Sequence, residues 1–360
     1  MIMSKRVGIL TGGGDAPGLN AVIRAIVKYG AGKKGWTVFG IEEAYNGFYK
    51  ANKQVWELTP NNIGGLLAKG GTILGTTNKG NPFLPDETGT IPAPKIAQSI
   101  QDLQLDGLIS IGGDGSQTIA YRLMTEYSIP VVGVPKTIDN DLHNTDYTFG
   151  FWSAVDVATD ALDRLHTTAE SHDRVMILEV MGRTAGWIAL YAGLSGGADC
   201  ILIPEIPYDT GSVIRKIVDR RGNGKHFTLI IVAEGAKPKE EDDGKPTEGT
   251  SNKFVSGRAS HKIAQEIASH LDVECRVTVL GHLQRGGSPV AFDRFLATRF
   301  GTHAVDLVEA NRWGEMVVLQ NNAMDSIPLS EVAGTPREIP LQHELLETAR
   351  KTGISLGEPT

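Results

Sequence analysis

A chain of 360 residues, 41% hydrophobic and 21% charged, is long enough for two domains with separate cores and has an ordinary globular composition. Its formal charge of −7 argues against general nucleic-acid binding, which needs a basic surface, but not against capture of a small anion by a local arginine cluster. Two cysteines, Cys200 and Cys275, build neither a disulfide framework nor a metal site; no apolar run approaches the ~20 residues of a membrane helix, and residues 1–6 carry no apolar signal core. A cytoplasmic protein without nucleic-acid or membrane partners is therefore expected.

Residues 7–10 (VGIL) form a β-type run leading into TGGGDAPG, followed by Leu19, Val22, Ile23, Ile26 and Val27 at helical spacing. Residues 38–41 read as a second strand. The strand–turn–helix pattern returns at 107–111 (GLISI), the turn GGDGS and a helix through Ile119 and Leu123. Further buried strands are expected at 131–134, 175–180, 201–204, 229–233 and 277–280, with helices at 154–168 and 260–271. Residues 237–253 (KPKEEDDGKPTEGTSNK) read as an exposed mobile loop, and the tail after Ile339 is weakly patterned. The 43 glycines cluster after the β-type runs, as tight strand-to-helix turns require. Alternating strands and helices predict an α/β protein with mostly parallel sheets covered on both faces.

Polar residues gather where these strands end. Backbone N–H groups of Gly12, Gly13 and Gly14 can point at a phosphate, with the following helix dipole helping; a plain tight turn before a helix would look the same. The spacing fits neither the Walker A pattern nor the dinucleotide glycine pattern. In the turn Gly112, Gly113, Asp114, Gly115 and Ser116, a carboxylate among glycines repels phosphate unless a cation intervenes, which makes Asp114 a candidate Mg²⁺ ligand; an Asx turn is the bland alternative. After 131–134 come Lys136, Thr137, Asp139, Asn140 and Asp141, where one carboxylate could act as general base and a solvated turn would use the same residue types. Met181, Gly182 and Arg183 follow another strand, with Arg174 upstream, and Glu234 follows a third. Arg276, His282 and Arg285 close the set, arginine being suited to bidentate contact with phosphate.

Taken in order, TGGGDAPGLNAVIR, GGDGS, TIDND, VMGR and LGHLQRGGSP make the chain resemble the phosphofructokinase family from about residue 7 to residue 299. The resemblance implies two Rossmann-like three-layer domains with the active site in the interdomain cleft. A donor domain of 1–150 plus about 284–334 and a sugar-phosphate domain of 151–283 plus about 335–360 would follow. It further implies phosphorylation of fructose 6-phosphate at the 1-hydroxyl, with Mg²⁺ as cofactor. By motif, Gly13, Gly14, Gly112, Gly113, Asp114, Gly115 and Ser116 would hold the donor and its metal. Asp139 would be the base, flanked by Thr137 and Asp141, and Arg183 would lie beside the transferring phosphoryl. Met181, Gly182 and Glu234 would contact the sugar, and Arg174, Arg276, His282 and Arg285 its 6-phosphate. Because Arg174 and Arg276 come from a neighbouring subunit in the family, a homodimer or homotetramer is implied.

Two positions depart from the bacterial ATP enzymes of the family. Asn78 stands where they carry an arginine aimed at the phosphoryl, and Lys136 where they carry glycine. Lys136, helped by Lys79, is expected to supply the missing charge. Pyrophosphate-dependent relatives also carry this lysine, but with aspartate in place of Gly115; the open space at Gly115 favours ATP, with pyrophosphate as the alternative donor. Arg24, Lys28, Asp199 and Lys225 resemble binders of regulatory phosphates, while His166 and Asn223 replace basic residues there, so altered allostery is expected. An NAD or lipid kinase would explain GGDGS but not TIDND, VMGR or LGHLQRGG, and Asp114, Asp139 and Arg183 speak against a non-catalytic regulatory subunit.

Overall fold

The computed structural model describes residues 4–52, 54–239, 256–334 and 336–359. The chain divides into two compact units: residues 1–138, 142–153 and 285–336 form the first, and 139–141, 154–284 and 337–360 the second.

The first unit contains β1 (Arg6–Thr11), α1 (Leu19–Lys34), β2 (Thr37–Ile41), β3 (Val55–Leu58), α2 (Ala93–Asp102), β4 (Gly107–Gly112), α3 (Asp114–Tyr127), β5 (Val131–Thr137) and β6 (Phe149–Gly150). The chain passes through α4 (Phe151–His172) into the second unit. There it forms β7 (Val175–Val180), α5 (Trp187–Ser195), β8 (Cys200–Leu202), α6 (Thr210–Gly222), β9 (Thr228–Ala233), α7 (Arg258–His270) and β10 (Cys275–Val279). It returns to the first unit for α8 (Ala291–Glu309), β11 (Glu315–Gln320) and β12 (Ala323–Pro328), and ends in the second with α9 (Glu344–Lys351).

The first sheet runs β12-β11-β5-β4-β1-β2-β3, parallel through its middle, with β12 and β3 antiparallel at the edges and β6 paired to β5. Its central strands β1, β4 and β5 are buried on both faces, and alternate side chains serve opposite cores. Val7, Ile9, Ile109, Ile111, Val132 and Val134 pack with Leu19, Val22 and Ile23 of α1 and Leu296 and Phe300 of α8. Leu10, Leu108 and Val131 pack with Ile96 and Ile100 of α2 and Ala120 and Leu123 of α3. The second sheet is parallel throughout, in the order β10-β7-β9-β8. On one face Val175, Ile177, Ile230 and Val232 pack with Val213 and Ile217 of α6 and Ile263 and Ile267 of α7.

The mostly parallel α/β architecture read from the sequence is present. Helix α4 is longer than the expected 154–168, and the strand expected at 201–204 begins and ends earlier, at Cys200–Leu202. The tail after Ile339, weakly patterned in the sequence, forms α9, and Ser355 bridges Cys200 beside β8. An eight-residue helix burying only Leu346 and Ala349 is too short to show a period. Of the loop expected at 237–253, residues 240–253 lie outside the described residues; residues 237–239 are paired, with Tyr208 N donating to Lys237 O at 3.0 Å and Lys239 N to Tyr208 O at 2.9 Å.

Candidate active site

In the first unit the three glycine- and aspartate-bearing motifs follow neighbouring strands. Thr11 of β1 is in register with Ile111 of β4, and Gly112 of β4 with Pro135 of β5. Neighbouring strands lie ~4.8 Å apart, so the turns beginning at Gly12, Gly113 and Ile138 share one edge of the sheet. From β1 the chain places β2 on one side and β4 on the other. Such a switch point opens a crevice at the carboxyl ends of the strands, the usual ligand position in open α/β sheets.

The first turn is held from several directions. Gly12 N donates to Ile111 O at 2.9 Å and Gly13 N to Thr77 O at 3.0 Å, while Thr76 Oγ1 donates to Gly13 O at 2.6 Å. Gly13 has φ +79°, the left-handed region that favours glycine. The Thr76–Thr77 backbone thus borders the turn, and Asn78 and Lys79 next to it are exposed. Lys136 is 3% exposed and its Nζ donates to Gly14 O at 2.5 Å. A Cβ added at Gly13 would lie 3.3 Å from that Nζ. The lysine singled out as a departure from its relatives therefore puts its ammonium on the Gly13–Gly14 turn. Arg285 reaches the same turn, Nη1 donating to Asp15 O at 3.0 Å; its sequence grouping with Arg276 and His282 gave no sign of this contact.

The second turn starts α3, with Asp114 in the first helical turn. Ser116 N and Gln117 N both donate to Gly113 O at 3.0 Å, and buried Gln117 ties β4 to β5 through Nε2 donating to Gly112 O (2.9 Å) and Val134 O (3.1 Å). Asp114 Oδ1 accepts the Gly334 N–H at 2.7 Å. Among the described residues no group of three or more His, Cys, Asp or Glu side chains could hold a metal. A lone, partly exposed carboxylate at a helix N-terminus suits Mg²⁺, which completes its octahedron with water and phosphate oxygens and needs no all-protein cage. A Cβ added at Gly115 would meet nothing within 4 Å, so that side of the turn is open. The third turn follows Thr137, whose carbonyl accepts Thr148 Oγ1 at 2.7 Å.

The second unit repeats the arrangement. β7, β9 and β10 are neighbours, and beyond their carboxyl ends come Met181–Gly182–Arg183, Glu234, and His282 in the 3₁₀ turn Gly281–Gln284. Glu234 N donates to Val180 O at 2.9 Å and Gly235 N to Gly182 O at 3.1 Å, locking two of these loops together. Gly182 takes φ +136°. Met181 N donates to Oε1 of buried Gln284 at 2.8 Å, tying the loop to the turn of His282. Arg183 and His282 are exposed. Asp139 and Asp141 belong to this unit, and Asp141 O accepts the Arg337 N–H at 2.8 Å.

Arg174 and Arg276 are not brought to this edge. Arg174 precedes β7 and Arg276 is the second residue of β10, so both stand at the amino ends of their strands. The six residues of β7, about 20 Å at ~3.3 Å each, separate Arg174 from Met181. There the two arginines share Glu274: Arg174 Nε donates to Oε2 at 2.7 Å, and Arg276 Nη2 pairs with Oε1.

Of the residues resembling a regulatory site, Arg24 and Lys28 lie on α1 and the others in the second unit. Asp199 pairs with Arg220 Nη1 at 2.5 Å and accepts Leu229 N at 2.9 Å, and burial pushes its carboxyl above the usual range. It lines a cavity of about 590 Å³ with Lys216, Arg220, Thr348 and Thr352. His166 packs edge-on against Phe227.

Sequence reasoning missed the buried and partly buried polar side chains behind the loops. Glu179 accepts Gly257 N, Ser260 N and Ser260 Oγ at 2.6–2.9 Å, and Glu205 accepts Gly186 N and Ile339 N at 3.0 Å. Each is a lone acid within or just after an apolar run, the one available signal, since isolated acids are rarely buried without partners.

A family model described as Phosphofructokinase matches residues 6–308. The chain is 48% identical over 357 residues to the ATP-dependent 6-phosphofructokinase of Chloroflexus aurantiacus, covering 98% of each. Its fold matches a Pichia pastoris phosphofructokinase crystal structure with TM-score 0.80 and 34% identity, over 91% of this chain and only 37% of that longer one. It also matches the pyrophosphate-dependent phosphofructokinase of Marinobacter aquaeolei with TM-score 0.81, over 98% of this chain and 88% of the other; at 21% identity this is a likeness of fold alone. With motif order, strand-end geometry and these matches in agreement, the chain belongs to the phosphofructokinase family.

Proposed function

We propose that this protein is an ATP-dependent 6-phosphofructokinase that moves a phosphoryl group from MgATP to the 1-hydroxyl of fructose 6-phosphate. The observation that carries the reading is the meeting of two glycine turns with the buried Lys136 ammonium beyond adjacent strands β1, β4 and β5. This is an anion site built from one helix start and one cation beside a glycine turn; the N–H groups of Gly12 and Gly13, which the sequence offered to a phosphate, are instead engaged by Ile111 O and Thr77 O. ATP as donor is supported by the name of the Chloroflexus relative and by the open space at Gly115, where a nucleotide's inner phosphate needs room.

In this reading Gly13, Gly14, Gly113, Gly115 and Ser116 bind the donor phosphates, and Asp114 holds Mg²⁺. The bound ion would neutralise phosphate charge that builds up during transfer. Asp139 accepts the proton of the sugar hydroxyl, worth typically 10²–10⁴-fold in rate. Lys136 and Arg183 offset charge on the transferring group, and Thr137 and Asp141 flank the base. Met181, Gly182 and Glu234 orient the sugar and His282 takes part in holding its remote phosphate; the family motif gives Arg285 the same role, although here its guanidinium rests on Asp15 O. Arg174 and Arg276, which stand at the amino ends of their strands, would serve the sugar phosphate of a second copy in a homo-oligomer, the arrangement that the family resemblance implies. A cytoplasmic location accords with the substrates and with the absence, among the described residues, of a helix able to cross a membrane.

An assay of fructose 6-phosphate phosphorylation with MgATP and with pyrophosphate tests the donor; turnover with pyrophosphate alone would reject the proposal. Asp139→Asn should lower kcat about 10³-fold with little change in KM. Full turnover in that variant would remove the base.

A further inference from the structure

We propose that Glu205 is a positioning residue that couples the loop of the proposed base, residues 139–141, to the loop of Arg183 through the C-terminal strap 337–339. The inference rests on the reading of Asp139 and Arg183 given above and concerns what holds them in place.

Glu205 follows β8 and is partly buried. Its two carboxylate oxygens accept Gly186 N–H at 3.0 and 3.2 Å, and Oε1 also accepts Ile339 N–H at 3.0 Å. Gly186 is the residue before α5, three positions beyond Arg183. A Cβ there would lie 2.4 Å from Ile203 and 3.1 Å from Glu205 Oε2, so only glycine brings its N–H this close to the carboxylate. On the strap, Arg337 N donates to Asp141 O at 2.8 Å and Arg337 O accepts Trp187 Nε1 at 3.0 Å. The Arg337 guanidinium lies 4.6 Å from the centre of the buried Trp187 ring. The path is therefore Asp141 to Arg337, along two residues to Ile339, into Glu205, and out through Gly186 towards Arg183. All of it lies in the second unit.

A neutral apolar residue would fill this position at lower desolvation cost, because a buried carboxylate is unfavourable unless fully hydrogen-bonded. What the carboxylate supplies is one acceptor, Oε1, shared by two segments that no helix or sheet joins, with Oε2 as a further acceptor for Gly186 N–H. Charge-assisted bonds of this kind fix direction as well as distance. A misplacement of about 1 Å at reacting groups can cost 10²-fold in rate, so the effect belongs in kcat.

The test is steady-state kinetics of the full-length protein, with folding followed by circular dichroism and thermal melting. Glu205→Gln retains an acceptor where Oε1 stands and should keep kcat within about threefold. Glu205→Ala should lower kcat on the order of 10- to 100-fold, with KM for fructose 6-phosphate and MgATP within about twofold. Arg337→Pro deletes the N–H that holds Asp141 O and should reproduce that loss with the carboxylate intact, whereas Arg337→Ala, which keeps the N–H, should lose clearly less. A folded Glu205→Ala with kcat within twofold of wild type, or a defect confined to KM, would overturn the proposal. So would Gln behaving like Ala. Asp139→Asn measured alongside separates the two claims. Lost turnover there with full turnover in Glu205→Ala overturns the strap alone, while full turnover in Asp139→Asn overturns both.

Discussion

Replacing Lys136 by methionine removes a charge while keeping most of the side chain's length and volume. The ammonium is buried and stands 2.5 Å from Gly14 O. A phosphate resting on the Gly13–Gly14 turn would have its charge about 4 Å from Nζ. At an effective dielectric constant of about 20 two unit charges at that distance interact by about 4 kcal/mol, or about 10³ in an equilibrium or rate. Only the part of that energy that grows as charge builds on the transferring group lowers the barrier; the part already present in the bound donor appears in its KM. Lys136→Met should therefore lower kcat by about 10²–10³, raise KM for MgATP several-fold, and leave KM for fructose 6-phosphate within about threefold. Losing the partner of Gly14 O should also destabilise the protein by about 1–3 kcal/mol. The measurement is an aldolase-coupled assay at saturating MgATP, with thermal melting to show that the variant is folded. A folded Met variant with wild-type kcat would refute the argument and return the missing charge to another residue near Asn78.

Gly115→Asp should fold normally, because the added carbon enters open space, and should raise KM for MgATP about tenfold or more by like-charge repulsion; an unchanged KM would mean the donor phosphates lie elsewhere. Glu274→Gln should release Arg174 and Arg276 from their shared carboxylate and lower KM for fructose 6-phosphate about two- to fivefold, whereas a raised KM would show that the acid itself holds the arginines in position. Asp293 is buried, accepts Ser153 N and Oγ through Oδ2 at 2.7 and 2.6 Å, and has its pKa pushed up to about 6 by burial. The folded state thus holds this proton more tightly than the unfolded chain, where an aspartate titrates near 3.9. The stability linked to protonation is complete below about pH 4 and lost as pH rises through about 6, a change of about 3 kcal/mol. Urea denaturation should accordingly show Asp293→Asn gaining about 2–3 kcal/mol on wild type between pH 4.5 and 7.5; a constant difference would rule this out.

Much of the first unit was legible because its motifs are local. The apolar runs of β1 and β4, the glycines after each and the helical spacing of α1 and α3 are short-range facts, and tight strand-to-helix turns demand those residue types at those places. The β11–β12 hairpin, α8 and α9 were not read. Their apolar positions make sense only against partners far away in the chain, as when Gly301 of α8 lets that helix close on Ala25 and Val22 of α1. The partners of the acids Glu179, Glu205 and Asp293 were hidden for the same reason: each is explained by N–H groups of segments distant in sequence.

The sequence by itself determined where the strand-to-helix glycine turns fall and which carboxylates stand in them, since both follow from residues within a few positions of one another. Tertiary structure alone decided that Lys136 carries its ammonium to Gly14, that Arg285 reaches Asp15, and that Arg174 meets Arg276 at the shared Glu274 carboxylate. Those outcomes depend on strand order and register, which are fixed by how whole faces of side chains are buried together and not by any local pattern.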